Sequence, residues 1–170
     1  VAGIGFACWF KPASDTGNGQ TLFSIGDIND GSRFWRVCYQ DNSGGNPIRC
    51  HAVNGSGNQN VADTSTGITD TNWHHILGTV GTTGITTVRL DGTFEGTDSA
   101  VSISPHANTD TTRIGQRTAD NVDQFCNGDI AWAACWDVEF DMAQAAQALY
   151  TAKMHPENFL PGNLVSIWEL

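Results

Sequence analysis

Asn72-Trp73-His74-His75-Ile76-Leu77-Gly78-Thr79-Val80, then Thr86-Thr87-Val88-Arg89-Leu90-Asp91-Gly92-Thr93-Phe94-Glu95, is the stretch whose reading decides the fold. Two runs rich in β-branched and apolar residues are joined by Gly81-Thr82-Thr83-Gly84. Neither carries the i, i+3, i+4 spacing of an amphipathic helix. Asp91-Gly92 then tolerates the positive φ angles that a two-residue hairpin turn demands. The reading is strand, turn, strand, turn, strand.

The same rhythm extends in both directions. Residues 4–10 (IGFACWF) are aromatic-rich and stop at Lys11-Pro12, a proline that ends a ladder. Residues 20–25 follow a glycine-rich turn at 15–19, and residues 33–39 and 48–53 flank the turn at 41–46. Residues 113–115, 129–136 and 164–168 complete the series. Turn signals about ten residues apart, without helices between strands, indicate an all-β fold: a two-sheet antiparallel jelly-roll sandwich. One short helix is expected near the C-terminus. Asp141 with Gln144 forms a capping box, and Met142, Ala145, Ala146, Leu149 and Ala152 recur with helical period until His155-Pro156. It is expected to lie as a lid over the sandwich edge. No repeat or linker divides the chain, so residues 1–170 read as a single domain.

Composition narrows the function. Hydrophobic residues make up 39% and charged residues only 15% of the 170 residues, against a usual charged share of roughly 25%. Eight Lys and Arg against eighteen Asp and Glu leave a formal charge of −10, which repels a phosphate backbone and argues against nucleic-acid binding. No apolar run approaches the ~20 residues of a bilayer-spanning helix, so membrane insertion is not expected. The chain opens on Val1 without a signal-peptide pattern and stops inside a strand-like run, which suits a processed product or a piece of something longer. Five cysteines, an odd number, include no C-x-x-C pair. Cys38 and Cys50 flank one turn almost symmetrically, which allows either a cross-strand disulfide or two small side chains packed side by side.

Three segments together resemble the laminin-G-like, concanavalin-A-like jelly rolls. Asn72–Ile76 with Val88-Arg89-Leu90-Asp91-Gly92 is similar to their W-H-H and D-G signature. Thr112-Arg113-Ile114-Gly115, Phe125-Cys126-Asn127-Gly128-Asp129-Ile130 and Trp136 resemble their I-G, F-x-G and W stretch, and residues 6–12 with 20–26 their opening strands. The resemblance, running from about residue 4 to 151, implies a recognition module, commonly for glycans, on extracellular proteins and on phage or viral particles. It also implies calcium at a sheet rim in some members. In that family a further strand usually precedes the segment matching residues 6–12, and the strand matching 164–168 has a partner. The missing strand lies outside this segment, comes from another subunit, or is dispensable, and an uncovered edge would invite pairing with another chain.

Candidate chemistry follows from these residues. Trp35 and Tyr39 share strand parity, with Phe34 on the opposite face, so Trp35 and Tyr39 are candidate ligand-binding residues together with Asn54, although a sandwich strand with a covered outer face produces the same pattern; Trp9, Trp73 and Trp136 are assigned to the core. Asn54-Gly55-Ser56 is also a glycosylation sequon, relevant in a secreted eukaryotic protein. Asp27, Asn29 and Asp30 gather oxygen donors for calcium, although a turn satisfied by Asx hydrogen bonds explains the same residues. Asp120-Asn121-Val122-Asp123 is a weaker version of that loop. Asp137, Glu139 and Asp141 would share one face if extended, as in a related jelly-roll glycosidase family, but Asp141 is engaged as a helix cap. His74 and His75 lack a serine elbow or a carboxylate fixed by spacing; the resemblance implies a strand start at which one ring packs or caps backbone groups and the other faces solvent. The expected function is non-catalytic recognition or adhesion on an outer surface, extracellular or on a virion, with carbohydrate as ligand. The alternatives are a decoration protein binding neighbouring subunits, as a homo-oligomer or larger assembly, and a glycoside hydrolase.

Overall fold

The computed structural model describes residues 3–13, 19–27, 30–39, 46–99, 111–116 and 125–170. Eleven strands run β1 (Gly3–Pro12), β2 (Gln20–Asp27), β3 (Asp30–Tyr39), β4 (Ile48–Val53), β5 (Gln59–Asp63), β6 (His74–Gly81), β7 (Thr86–Leu90), β8 (Thr93–Asp98), β9 (Thr111–Ile114), β10 (Gly128–Trp136) and β11 (Leu164–Glu169). They form two antiparallel sheets in the orders β11-β10-β1-β6-β7-β8 and β5-β4-β3-β2-β9. The fold is the expected jelly-roll sandwich.

β5 escaped the sequence reading because its pairing is polar rather than apolar. Arg49 grips Asp63 through two N–H···O bonds of 2.6 and 2.7 Å, and His51 meets Gln59 at 3.0 Å across the same ladder. Cross-strand pairs of this kind stabilise a sheet without an alternating apolar pattern. The Asp91-Gly92 turn is as expected, with φ of +50° and +77°. Cys38 and Cys50 do not pair. Cys50 lies opposite Val37 and Cys38 opposite Arg49, which points the two side chains to opposite faces, and neither is in a disulfide.

Two layers of core result. Between the sheets pack Phe6, Phe10, Phe23, Trp35, Val37, Tyr39, Ile48 and Ile76. On the outer face of the six-stranded sheet, Ala7, Leu77, Ala134 and Trp136 are covered by the C-terminal segment. Asp141 caps it by accepting from Ala143 and Gln144 backbone N–H groups at 3.0 and 3.1 Å. α1 (Met142–Ala145) continues as a wider π-helical turn, Ala146–Thr151, and ends there rather than at His155-Pro156. Met142, Ala145, Ala146 and Leu149 are buried as their period predicted, whereas Ala152, just past the helical turns, is exposed. The segment is therefore not a lid on the sandwich edge but a strap across an open face. β1 and β10 carry apolar residues on both faces for this reason, and Gly5 is bare because the Phe140 ring lies where its Cβ would stand. Trp136 Nε1–H donates to the Phe159 carbonyl at 2.8 Å, tying the strap's far end to β10.

β11 is the outermost strand of its sheet, bonded to β10. No helix among the described residues is long and apolar enough to cross a membrane.

Candidate functional site

Trp35 and Tyr39 do not form a ligand platform. They are only 4% and 2% exposed, and both point into the space between the sheets. Trp35 Nε1–H reaches Cys50 Sγ at 3.3 Å, and Tyr39 Oη–H donates to the Ile68 carbonyl at 3.3 Å. The two share a face of β3 as their parity predicts, but it is the face the other sheet covers, because an isolated strand does not reveal on which side the second sheet lies. Asn54 sits at the β4–β5 turn, where its Oδ1 accepts from the Ser56 and Asn58 N–H groups at 3.0 Å each. Trp35 and Tyr39 point between the sheets, away from this turn.

Trp73 was assigned to the core and is 43% exposed. The residues around it explain how it is held there. Asp70 accepts from the Asn72 N–H at 2.7 Å, forming an Asx turn just before Trp73. His74, just after, is clamped on both ring nitrogens: Nδ1 lies 2.8 Å from Asp91 Oδ2, and Nε2 lies 3.1 Å from Asp70 Oδ1. Asp91 Oδ1 also takes the backbone N–H of His75 at 2.8 Å. The hydrogen bond to Asp91, and then Asp70, raises the His74 pKa against an opposing effect of burial. Burial pushes the Asp91 carboxyl up, but His74 and the His75 N–H outweigh it and hold the group below its ordinary value. With a carboxylate on each nitrogen, His74 has no lone pair left to take a proton from a substrate. It is a fastener between β6 and the β7–β8 turn, not a general base.

His75 is the opposite case. Its ring is fully buried, and neither nitrogen has a hydrogen-bond partner. It lies 5.1 Å from the Trp9 ring, 5.9 Å from Trp132 and 5.7 Å from Tyr150. Burial, reinforced by the nearby Lys153 cation and opposed by Asp91, pushes its pKa down to about 3. The expected pair, one ring packed and one facing solvent, is half right: the His74 side chain is only 13% exposed.

Trp73 stands beside a hollow of about 570 Å³ lined also by Ile114, Gly115, Gly128, Asp129 and Leu170. Hydrogen bonds fix its walls. Cys126 N–H donates to the Gly115 carbonyl at 2.8 Å, Asn127 N–H to Gln20 Oε1 at 2.6 Å, and Leu170 N–H to the Ala131 carbonyl at 3.2 Å. Gly115 has φ +70°, a left-handed conformation that favours glycine at this corner. Burial, then Asp129, pushes the Cys126 thiol up to about 12, so it stays protonated and holds no nucleophile. The Asp129 side chain is exposed. The hollow therefore offers an aromatic face, a carboxylate and peptide groups, a set suited to holding a polar ligand.

The carboxylates Asp137, Glu139 and Asp141 do not converge. Asp137 accepts from Asn163 Nδ2 at 3.1 Å, Asp141 is the helix cap, and Glu139 lies against Gly81. β10 ends at Trp136, so the triplet is not extended on one strand face. Of the calcium candidates, Asn29 and the side chain of Asp30 lie outside the described residues, as does the 120–123 loop, and Asp27 is half-buried at the end of β2. No group of three His, Cys, Asp or Glu able to hold a metal occurs among the described residues.

Residues 2–146 match the family model of the concanavalin A-like lectin/glucanases superfamily. The chain belongs to that superfamily. The CBM40 module of the Ruminococcus gnavus IT-sialidase, bound to α2,3-sialyllactose, has a similar structure, with a TM-score of 0.70, 14% identity and coverage of 86% of this chain and 82% of that one. The heptameric SAP-like pentraxin of Limulus polyphemus gives a TM-score of 0.68 at 17% identity, covering 91% and 72%. Tailspike protein 2 of an Escherichia coli O157:H7 bacteriophage gives 0.69 at 15% identity, covering 99% of this chain but 24% of that one. At these identities the likeness is one of fold. No curated protein sequence matches this chain.

Proposed function

We propose that this chain is a non-catalytic glycan-binding module working on an outer surface, extracellular or on a virion, with the Trp73 hollow as its site. The observation that carries the reading is Trp73 itself, a large aromatic held 43% exposed beside Asp129. The weakly positive C–H face of a pyranose stacks on the negative π face of an indole, and its hydroxyls donate to a carboxylate and to peptide carbonyls. The CBM40 relative, which carries sialyllactose, supports a sugar ligand for this fold. The phage tailspike relative supports an outer-surface setting.

A glycan array probed with the wild type and with Trp73→Ala, each with and without EDTA, tests the reading. Binding by the wild type that falls at least tenfold in Trp73→Ala is expected. Absence of binding to every glycan overturns it. Loss of binding in EDTA alone would assign calcium a role and direct attention to Asp27, Asn29 and Asp30. A second reading, a decoration or assembly subunit, is favoured by the exposed position of β11, whose Val165 is 64% exposed. A concentration-dependent mass in light scattering, without glycan binding, is its signature.

A further inference from the structure

On the outer face of the six-stranded sheet, the strap returns over Trp9 and sets down a cation. Lys153 Nζ lies 4.3 Å from the Trp9 ring centroid and 4.4 Å from that of Tyr150. The two rings stand 6.0 Å apart at an interplanar angle of 30°. No carboxylate among the described residues pairs with this ammonium, in a chain with a formal charge of −10. Lys153 also has φ +53°, the left-handed conformation that lysine adopts at some cost. We propose that Trp9 and Tyr150 form a seat for an organic ammonium group, which Lys153 fills from within the chain until an amine-bearing ligand displaces it.

The chemistry of the seat supports exchange. Two electron-rich faces within about 6 Å of a cation attract it through the ring quadrupoles. A methylated ammonium is less hydrated than a lysine ammonium and loses less on leaving water, so it competes well. The floor beneath is the uncharged ring of His75, 5.1 Å from Trp9 and 5.7 Å from Tyr150. The acidic surface as a whole draws cations toward it.

Strand register places the seat next to the Trp73 hollow. Trp9 pairs with both His75 and Trp132, and Lys11, two residues on, pairs with Asp129. Trp73 precedes His75 by two residues. A sugar stacked on Trp73 would have its neighbours in the next row, where an unacetylated amino sugar could present its amine. The inference thus deepens the glycan reading by naming a class, glycans bearing a free or methylated amine, although the seat itself stands on the lysine geometry alone.

The test is a titration with tetramethylammonium chloride against sodium chloride at equal ionic strength. The readout is the Trp9 indole N–H resonance, assigned with Trp9→Phe. A saturable shift specific to tetramethylammonium is expected in the wild type. Lys153→Ala and Lys153→Met should bind about two- to five-fold more tightly, the worth of an exposed cation–π contact. Glucosamine should shift the same resonance and N-acetylglucosamine should not. Natively folded Lys153 variants that show no saturable shift, or that bind no more tightly than the wild type, overturn the proposal. If both variants fail to fold, a wild type without a specific shift overturns it. The two readings fail separately: neutral-glycan binding with a silent Trp9 resonance sinks only the seat, and a responsive seat with an empty array sinks only the glycan site.

Discussion

Asp91 Oδ2 lies 2.8 Å from His74 Nδ1, and the other oxygen of the same carboxylate accepts the backbone N–H of the next residue, His75. One side chain at a hairpin turn thereby closes the start of β6 onto the end of β7. The W-H-H and D-G elements that marked the family are thus two halves of one fastening, which begins at the residue after the exposed Trp73.

Asp91→Asn keeps one acceptor and loses the charge. It is expected to cost about 1–2 kcal/mol in urea denaturation. Because the folded His74 pKa is raised, its pairing contributes fully below the unfolded value and is lost as pH climbs through the folded one. The wild-type advantage over Asp91→Asn should be larger at pH 6 than at pH 9. An equal advantage at both pH values would mean that His74 is not charged in the fold.

His75 works in the opposite direction. Its pKa of about 3 lies below the unfolded value of 6.5, so the stability of its neutral burial is present above the unfolded value and lost as pH falls toward the folded one. His75→Phe, which suits the ring cluster, should flatten the acid limb of stability between about pH 6.5 and 4 by a few kcal/mol. Parallel acid limbs for the two proteins would remove His75 as the cause.

The strap is held by apolar burial. Leu149 is 1% exposed against the outer sheet face, and Leu149→Ala should destabilise by about 2–5 kcal/mol. For a chain of 170 residues that lowers the melting temperature by roughly 5–15 °C. Hydrogen exchange should accelerate across 142–153 before it does in β3. Uniform acceleration would show that strap and sandwich open together.

None of the five cysteines is in a disulfide, and burial pushes the Cys50, Cys126 and Cys135 thiols up to about 12. A thiol reagent at pH 8 should label the native protein slowly and the urea-unfolded protein at once. Rapid native labelling, read by mass spectrometry, would contradict the packing around Cys126.

Much of the architecture was legible because it is local. Alternation, turn dipeptides and the Asp141 cap located ten of the eleven strands found among the described residues, and the C-terminal helix, without reference to anything distant. β5 leaves no such signal because Arg49–Asp63 and His51–Gln59 stabilise it across strands, and the pattern within 59–63 carries no trace of partners eight to fourteen residues away.

The site was less legible, for a geometric reason. Sequence by itself determined that Trp35, Tyr39, His74, His75 and Trp73 lie on or beside strands, and which of them share a face. Only the tertiary structure decided which face the second sheet and the strap would cover, because burial depends on what arrives from elsewhere in the chain. That packing sealed Trp35 and Tyr39 between the sheets and enclosed His75. It left Trp73 open to solvent and brought Lys153, nearly 150 residues along the chain from Trp9, to rest over its ring.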